Sequence, residues 1–308
     1  MFNIYSPFIR NNNYHPSITE KCLSNIFKFI FVPIKLLFII FIIIISSVLC
    51  KLATINQYDI NNLPETNKSV IRYALKLASR SALLLCGFYN IDFYEYDTDP
   101  EPPILIANHR SWSDILLMLY LFDIKFIAKH DLVDIPIIGV MASSMNNILV
   151  DRSKPNQGAT KQILDHCKNF SSTPLFIFPE ATTTNGEFII KFKTGAFVPG
   201  TPIRPIIIDY PYTKFNPSWD GIPGFDHCIG MLSQFRQDVV IKKLPIYYPS
   251  DTEKNDPALY CENVRNYMAS FLNVPLIKTD YNNQQFFSNC TDEEREKLIN
   301  DYTIRQVF

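Results

Sequence analysis

Ten consecutive large apolar residues, Leu36-Leu37-Phe38-Ile39-Ile40-Phe41-Ile42-Ile43-Ile44-Ile45, constrain this chain more than any other stretch. The run continues through Ser46, Ser47, Val48 and Leu49 to Cys50. A weaker upstream part, Ile26 to Ile34, contains Pro33 and is followed by Lys35. A membrane span needs about 20 apolar residues, and the uninterrupted part is shorter than that. Three placements follow: one tilted span with Lys35 snorkelling, a re-entrant hairpin bent at Pro33, or a helix buried in protein. So long an apolar run is rare in soluble cores, which favours the two lipid placements. The run starts too late for a cleaved signal peptide, and no small-x-small site follows it. Lys21, Lys28 and Lys35 lie before the run and Lys51, Lys68 and Arg72 after it, so flanking charge does not orient it.

The chain has 308 residues and a net charge of -1. That length allows one large domain or two small ones. The charge supplies no basic field for nucleic acid. Nine glycines argue against a glycine-loop nucleotide binder. The seven cysteines are scattered singly, with no paired Cys/His spacing, so no metal site is expected. Unpaired thiols point instead to a reduced, cytosol-facing catalytic part.

Residues 1–55 form a polar N-terminal segment plus the membrane anchor, the polar part packing on the membrane side or staying mobile. Residues 56–90 read as a connector with an amphipathic helix, whose apolar positions include Ile71, Ala74, Leu75 and Ala78. Residues 91–281 are the globular part, and 282–308 a polar, peripheral tail. Within the globular part, Ile91–Tyr94, Ile104–Ala107, Phe126–Ala128, Ile148–Val150, Leu175–Phe178, Ile206–Ile208 and Val239–Ile241 read as strands. They alternate with helices predicted over Ser113–Phe122, Ala159–Phe170 and Pro257–Leu272, the pattern of an α/β fold with a central sheet.

The segment Asn108-His109-Arg110-Ser111-Trp112-Ser113-Asp114 follows a buried strand and leads into a helix, where sites form in α/β sheets. On one continuous helix, residues five apart point about 140° from each other. A histidine in the loop and an aspartate in the first turn do meet, and Ser111-x-x-Asp114 has capping-box form. Such a dyad suits general-base chemistry near neutral pH. The bland alternative is a surface histidine beside an ordinary cap. Three further elements are ambiguous by themselves. Phe178-Pro179-Glu180-Ala181-Thr182 is a strand end with a carboxylate. Asp151-Arg152 is either a phosphate fork or a surface salt bridge. Val198 to Pro205 is a rigid turn entering a strand.

Taken together in this order, the four elements resemble the glycerolipid acyltransferases, with their NHxxxxD, glycine-to-arginine, FPEGT and VPxxP-type signatures. Here these are Asn108–Asp114, Gly139–Arg152, Phe178–Thr182 and Val198–Pro205. Phe192-Lys193-Thr194-Gly195-Ala196-Phe197-Val198-Pro199-Gly200, the stretch from Leu244 to Arg265, and Ser6-Pro7-Phe8 are similar to the lysophosphatidylcholine acyltransferase branch. The resemblance implies a central mixed sheet flanked by helices, behind an N-terminal membrane helix or helical hairpin. It implies acyl transfer from acyl-CoA, a co-substrate with no further cofactor, to the free hydroxyl of a lysophospholipid at a bilayer. The choline and ethanolamine headgroups are the first candidates, with lysophosphatidic acid or glycerol 3-phosphate as alternatives and a non-catalytic lipid-binding homologue as the reading from another class. His109 would be the base and Asp114 its orienting carboxylate. Asn108, Arg152, Glu180, Ala181, Thr182 and Lys193 would bind substrate, with Glu180 ordering Arg152 or a nearby lysine and Thr182 donating directly. An endoplasmic-reticulum membrane with the catalytic domain in the cytosol is expected. The chain holds no D-x-[DN]-x-[DN]-G loop, so calcium regulation is not expected. Ala181 replaces the signature's glycine, which matters only if the backbone there has positive φ.

Overall fold

The computed structural model describes residues 3–10, 14, 16–56, 63–145, 147–150, 159–291 and 293–298. The apolar N-terminal run becomes one helix, α1 (Ile18–Thr54), opened by a Ser17–Glu20 capping box and running through Pro33 without a hairpin. At 37 residues it is about 55 Å long. The amphipathic connector is α2 (Glu65–Leu85).

The globular part follows as β1 (Asp92–Glu95), β2 (Ile104–Ala107), α3 (Ser113–Leu121), β3 (Lys125–Lys129), α4 (Ile138–Ser144), β4 (Ile148–Val150), α5 (Ala159–Lys168), β5 (Leu175–Ile177), β6 (Ile203–Asp209), α6 (Gly224–Leu232), β7 (Val240–Lys243), α7 (Asp251–Asn255), α8 (Pro257–Leu272) and α9 (Tyr281–Asn289). The strands form a mixed sheet in the order β1-β7-β6-β2-β5-β3-β4. Its neighbours are parallel except for the antiparallel pair β6–β7. Each expected strand is present within a few residues. β6 begins at Ile203 rather than Ile206, taking in Pro205. That proline sits beside the start of the β7 ladder at Ile206, so its missing N–H leaves the ladder intact.

Side chains alternate across a strand, so each central strand serves two cores. Leu105, Ala107, Ile206 and Ile208 face one layer with Leu83 of α2, Leu117 and Met118 of α3, and Met231 of α6. Ile104, Ile106, Ile203 and Ile207 face the other, with Ile163 of α5 and Val264 and Met268 of α8. Burial on both faces explains why β2 and β6 read as unbroken apolar runs.

Helix α1 is bedded along this body. Glu20 pairs with Lys214 at 2.8 Å. Val32 is buried, with Leu36 and Ile39 packed on the α6 side of the core. Lys35 Nζ, instead of snorkelling, donates to the carbonyls of Leu232 and Gln234 at 2.7 and 3.1 Å, where α6 ends. Ser47 Oγ donates to the Ile137 carbonyl at 3.1 Å, and Asn67 Nδ2 to that of Ala53 at 2.8 Å. The opposite side of α1 is open and apolar, with Phe29 84% and Leu37 68% exposed.

Residues 3–10, expected on the membrane side or mobile, dock onto the catalytic body instead. Asn185 Nδ2 donates to the carbonyls of Ser6 and Ile9. Arg10 pairs with Asp220 at 2.6 Å. Tyr5 stacks on Phe287 of α9 at 5.6 Å. The division drawn at 281/282 thus falls in the first turn of a helix whose Phe287 is buried with Phe8, Phe188, Ile190 and Ile277.

Candidate active site

Three neighbouring strands, β6, β2 and β5, deliver their carboxyl ends to one place. Asn108 directly follows β2, and its amide exchanges two 2.8 Å hydrogen bonds with the Ile208 backbone that tie the loop to β6. Its side chain is buried and committed to this brace. His109 and Arg110 then leave the sheet, and α3 starts three residues on.

Asp114 lies in the first turn of α3 with its side chain wholly inaccessible. Of the capping box suggested by Ser111 only the half made by Asp114 forms, its carboxylate accepting the Ser111 N–H, while Ser111 Oγ accepts no bond from Asp114 N. The carboxylate reaches back further, Oδ2 accepting the N–H groups of both Arg110 at 2.7 Å and Ser111 at 2.9 Å. The same oxygen accepts from His109 Nδ1 at 2.9 Å. That bond places the imidazole proton on Nδ1 and leaves the Nε2 lone pair free. The ring stacks on Phe178 at 3.9 Å, and its side chain is 15% exposed. Nε2 has no hydrogen-bond partner among the described residues. Ser111 and Ser113 supply no nucleophile. Ser111 Oγ accepts from Ser113 N, and Ser113 Oγ bonds Tyr210.

Glu180 follows β5 and is buried beneath the histidine, Oε1 accepting the His109 N–H at 2.8 Å. Among the described residues it pairs with no lysine. Burial pushes its carboxyl up to about 8, against the lowering pull of backbone N–H groups and the Arg265 charge. Its unfolded-state value is near 4.5, so the folded protein holds an extra proton between those limits. Stability from this group is therefore present below about 4.5 and lost as pH rises toward 8. The expected result for Glu180→Gln is a thermal midpoint that declines less than wild type between pH 5 and 8. Parallel declines would show that the carboxyl ionises in the folded state as it does in the unfolded one.

Ala181 has φ 61°. The substitution therefore does fall where glycine is favoured, since an L-residue in the left-handed region costs about 1–2 kcal/mol. Ala181→Gly is expected to raise the thermal midpoint by about 2 °C, read by scanning fluorimetry in detergent. An unchanged or lower midpoint would mean that the methyl group stabilises the loop. Thr182 Oγ1 makes one long contact, 3.5 Å to the Thr183 carbonyl. Lys193 bonds the Pro179 carbonyl through its backbone N–H, while Nζ sits over the Tyr281 ring at 5.2 Å. Arg152 lies outside the described residues.

Other parts of the site were not singled out from sequence. Arg110 is buried and its guanidinium closes the site from behind. It pairs with Asp209 at 2.6 Å, donates to Ser218 Oγ at 3.1 Å and reaches the Asn185 carbonyl at 3.4 Å. Tyr210, one residue past β6, donates to Asp114 Oδ1. The sequence cue for Arg110 was its place inside the Asn108–Asp114 segment, and for Tyr210 its place just past the Ile206–Ile208 strand.

A family model described as Acyltransferase matches residues 90–209. A lysophospholipid acyltransferase of Arabidopsis thaliana is 26% identical over 92% of this chain and 85% of its own. Lysophosphatidylcholine acyltransferase 1 of Mus musculus is 32% identical over 84% of this chain and 49% of its own. A Drosophila melanogaster lysophosphatidylcholine acyltransferase is 38% identical over 58% of this chain and 34% of its own. The chain thus spans most of the plant relative but about half or less of these animal ones. Among solved structures, the 1-acyl-sn-glycerophosphate acyltransferase PlsC of Thermotoga maritima aligns with a TM-score of 0.54 at 19% identity, over 82% of this chain and 97% of that one. That likeness shows a shared fold.

Proposed function

Through residues 90–209 this chain belongs to the acyltransferase family, and on that premise we propose that it transfers an acyl group from acyl-CoA to the free hydroxyl of a lysophospholipid. The observation that carries the mechanism is the free Nε2 of His109, opposite an Nδ1 held by a buried carboxylate. Nε2 takes the proton of the acceptor hydroxyl as its oxygen attacks the thioester carbonyl. Asp114 stabilises the imidazolium. The tetrahedral intermediate collapses, the C–S bond breaks, and the proton passes to the departing CoA thiolate. Among the described residues no serine or cysteine is placed for attack, and the acyl group moves directly between substrates. The half-buried Thr182 hydroxyl, Lys193 and Arg152 serve the acceptor's phosphate. Choline or ethanolamine headgroups are favoured. The test is acyl transfer by the full chain in lipid, with one labelled acyl-CoA and a panel of lysolipids plus glycerol 3-phosphate. Product only from lysophosphatidic acid or glycerol 3-phosphate would overturn the acceptor assignment, and no product from any acceptor would overturn the activity.

Helix α1 is long and apolar enough to cross a membrane by length and composition, and we propose that in this protein it lies along the interface. A crossing helix needs about 20 predominantly apolar residues, which α1 supplies. Contacts with the catalytic body at Glu20, Val32, Lys35 and Ser47 hold one side of α1 along that body, which supports the interfacial placement. The segment before the helix also docks on the same body, and Asn67 of α2 holds the Ala53 carbonyl near the end of α1. The open apolar side of α1, with Val70, Tyr73 and Leu77 of α2, fits one leaflet. In endoplasmic-reticulum microsomes, protease added outside is expected to remove epitope tags from both termini. Protection of one tag alone would mean that α1 crosses.

A further inference from the structure

We propose that Tyr210 is a positioning residue, its hydroxyl holding Asp114 Oδ1 so that Oδ2 faces His109. The proposal rests on the general-base reading above and goes beyond it by assigning a residue that none of the four sequence signatures contains.

The two oxygens of Asp114 are used unequally. Oδ2 receives three donors, His109 Nδ1, Arg110 N and Ser111 N. Oδ1 receives one, the Tyr210 hydroxyl. The carboxylate has no access to water, so nothing replaces a lost donor. Tyr210 is itself 1% exposed. Its ring packs against Phe88 at 5.7 Å, the Arg110 guanidinium lies 5.5 Å from its centroid, and Ser113 Oγ is 2.8 Å from its hydroxyl. Burial and the Asp114 charge push the phenol well above its ordinary value, so it remains a donor.

The charged and titratable groups around the dyad come from four elements. The β2 loop gives Arg110, β6 leads to Asp209 and Tyr210, the turn after β5 gives Glu180, and α6 gives His227. Burial lowers His227 to about 4, so it stays neutral in the working range. Glu180 titrates near 8, so profiles are compared only between variants that keep it. Removing a donor from a carboxylate raises the proton affinity of that carboxylate and of the base bonded to it. The acid limb of the rate profile therefore moves to higher pH.

The test uses Tyr210→Phe in the full chain, in the wild-type and Asp114→Asn backgrounds. In the wild-type background kcat is expected to fall about tenfold, with KM for both substrates changed by less than about twofold and the acid limb shifted up. In the Asp114→Asn background the same change should alter kcat by less than about twofold, because the two residues act as one unit. Equal losses in both backgrounds would overturn the proposal, as would a lowered thermal midpoint with unchanged kcat and pH profile. Should the phenylalanine variant fail to fold, 3-fluorotyrosine at position 210 keeps the shape and strengthens the donor. It should move the acid limb down, and an unmoved limb overturns the proposal. His109→Ala separates the two levels. An active His109→Ala protein removes the general-base reading itself, whereas an inactive one with normal Tyr210→Phe kinetics removes only the role of Tyr210.

Discussion

His109→Ala is expected to lower acyl transfer by about 10²–10⁴-fold, the usual contribution of a positioned general base. The side chain is partly open and its backbone bonds, N–H to Glu180 and C=O from Thr184 N–H, do not depend on the imidazole. The variant should therefore fold, and its thermal midpoint should stay near that of wild type. Acyl-CoA and lysolipid should still bind, so the loss belongs in kcat. Turnover equal to wild type would sink the mechanism. Loss of the folded protein would leave the rate uninterpretable, so His109→Gln, which keeps volume and polarity but lacks the base, is the companion variant.

The second large effect is on the fold of the site. Gly186 has φ 82°, and a Cβ there would lie 2.1 Å from Arg110 Nε and 2.3 Å from Cζ. Arg110 cannot yield freely, because it is buried and held by Asp209 and Ser218. Gly186→Ala therefore combines left-handed strain of about 1–2 kcal/mol with displacement of the buried Arg110 guanidinium from the half-exposed Asp209 and from Ser218. A marked drop in thermal midpoint and faster proteolysis are expected, with acyl transfer falling alongside because Arg110 adjoins the His109 loop. The double variant Gly186→Ala/Arg110→Ala should recover part of the midpoint by removing the clash. A Gly186→Ala protein that melts like wild type would show that the Arg110 clasp contributes little.

Ala181 and Gly186 differ instructively. Both stand in one turn at positive φ. At 186 the space beyond the backbone is filled by a guanidinium, so only glycine fits. At 181 the chain carries a methyl group and bears the backbone strain alone. Nothing in the residue types of that turn reveals its φ. The sequence comparison could only state the condition on which the substitution would matter.

The elements read from periodicity are those whose signal lies within a few residues: the continuous runs of β2 and β6, the amphipathic spacing of α2, and the Pro257 start of α8. The dyad was legible for the same reason, since His109 and Asp114 are five apart and joined by one tight loop. Placements that failed depended on distant surfaces. The polarity of the N-terminal segment is compatible with the membrane side or with mobility, and says nothing of Asn185, which holds its carbonyls. Lys35 looked like a snorkelling cation because α6 ends beside it only in three dimensions.

By itself, then, the sequence determined an apolar anchor ahead of an α/β body, and a histidine and aspartate close enough to act together. Those properties follow from hydrophobic periodicity and short-range geometry, which are local. Only the tertiary structure decided how α1 beds on the body, why Glu180 sits under His109, and which group holds the far oxygen of Asp114. The His109–Glu180 and Tyr210–Asp114 bonds join residues 71 and 96 positions apart. Such pairs meet because β6, β2 and β5 lie side by side, and strand order is set by packing of the whole sheet rather than by any segment of it.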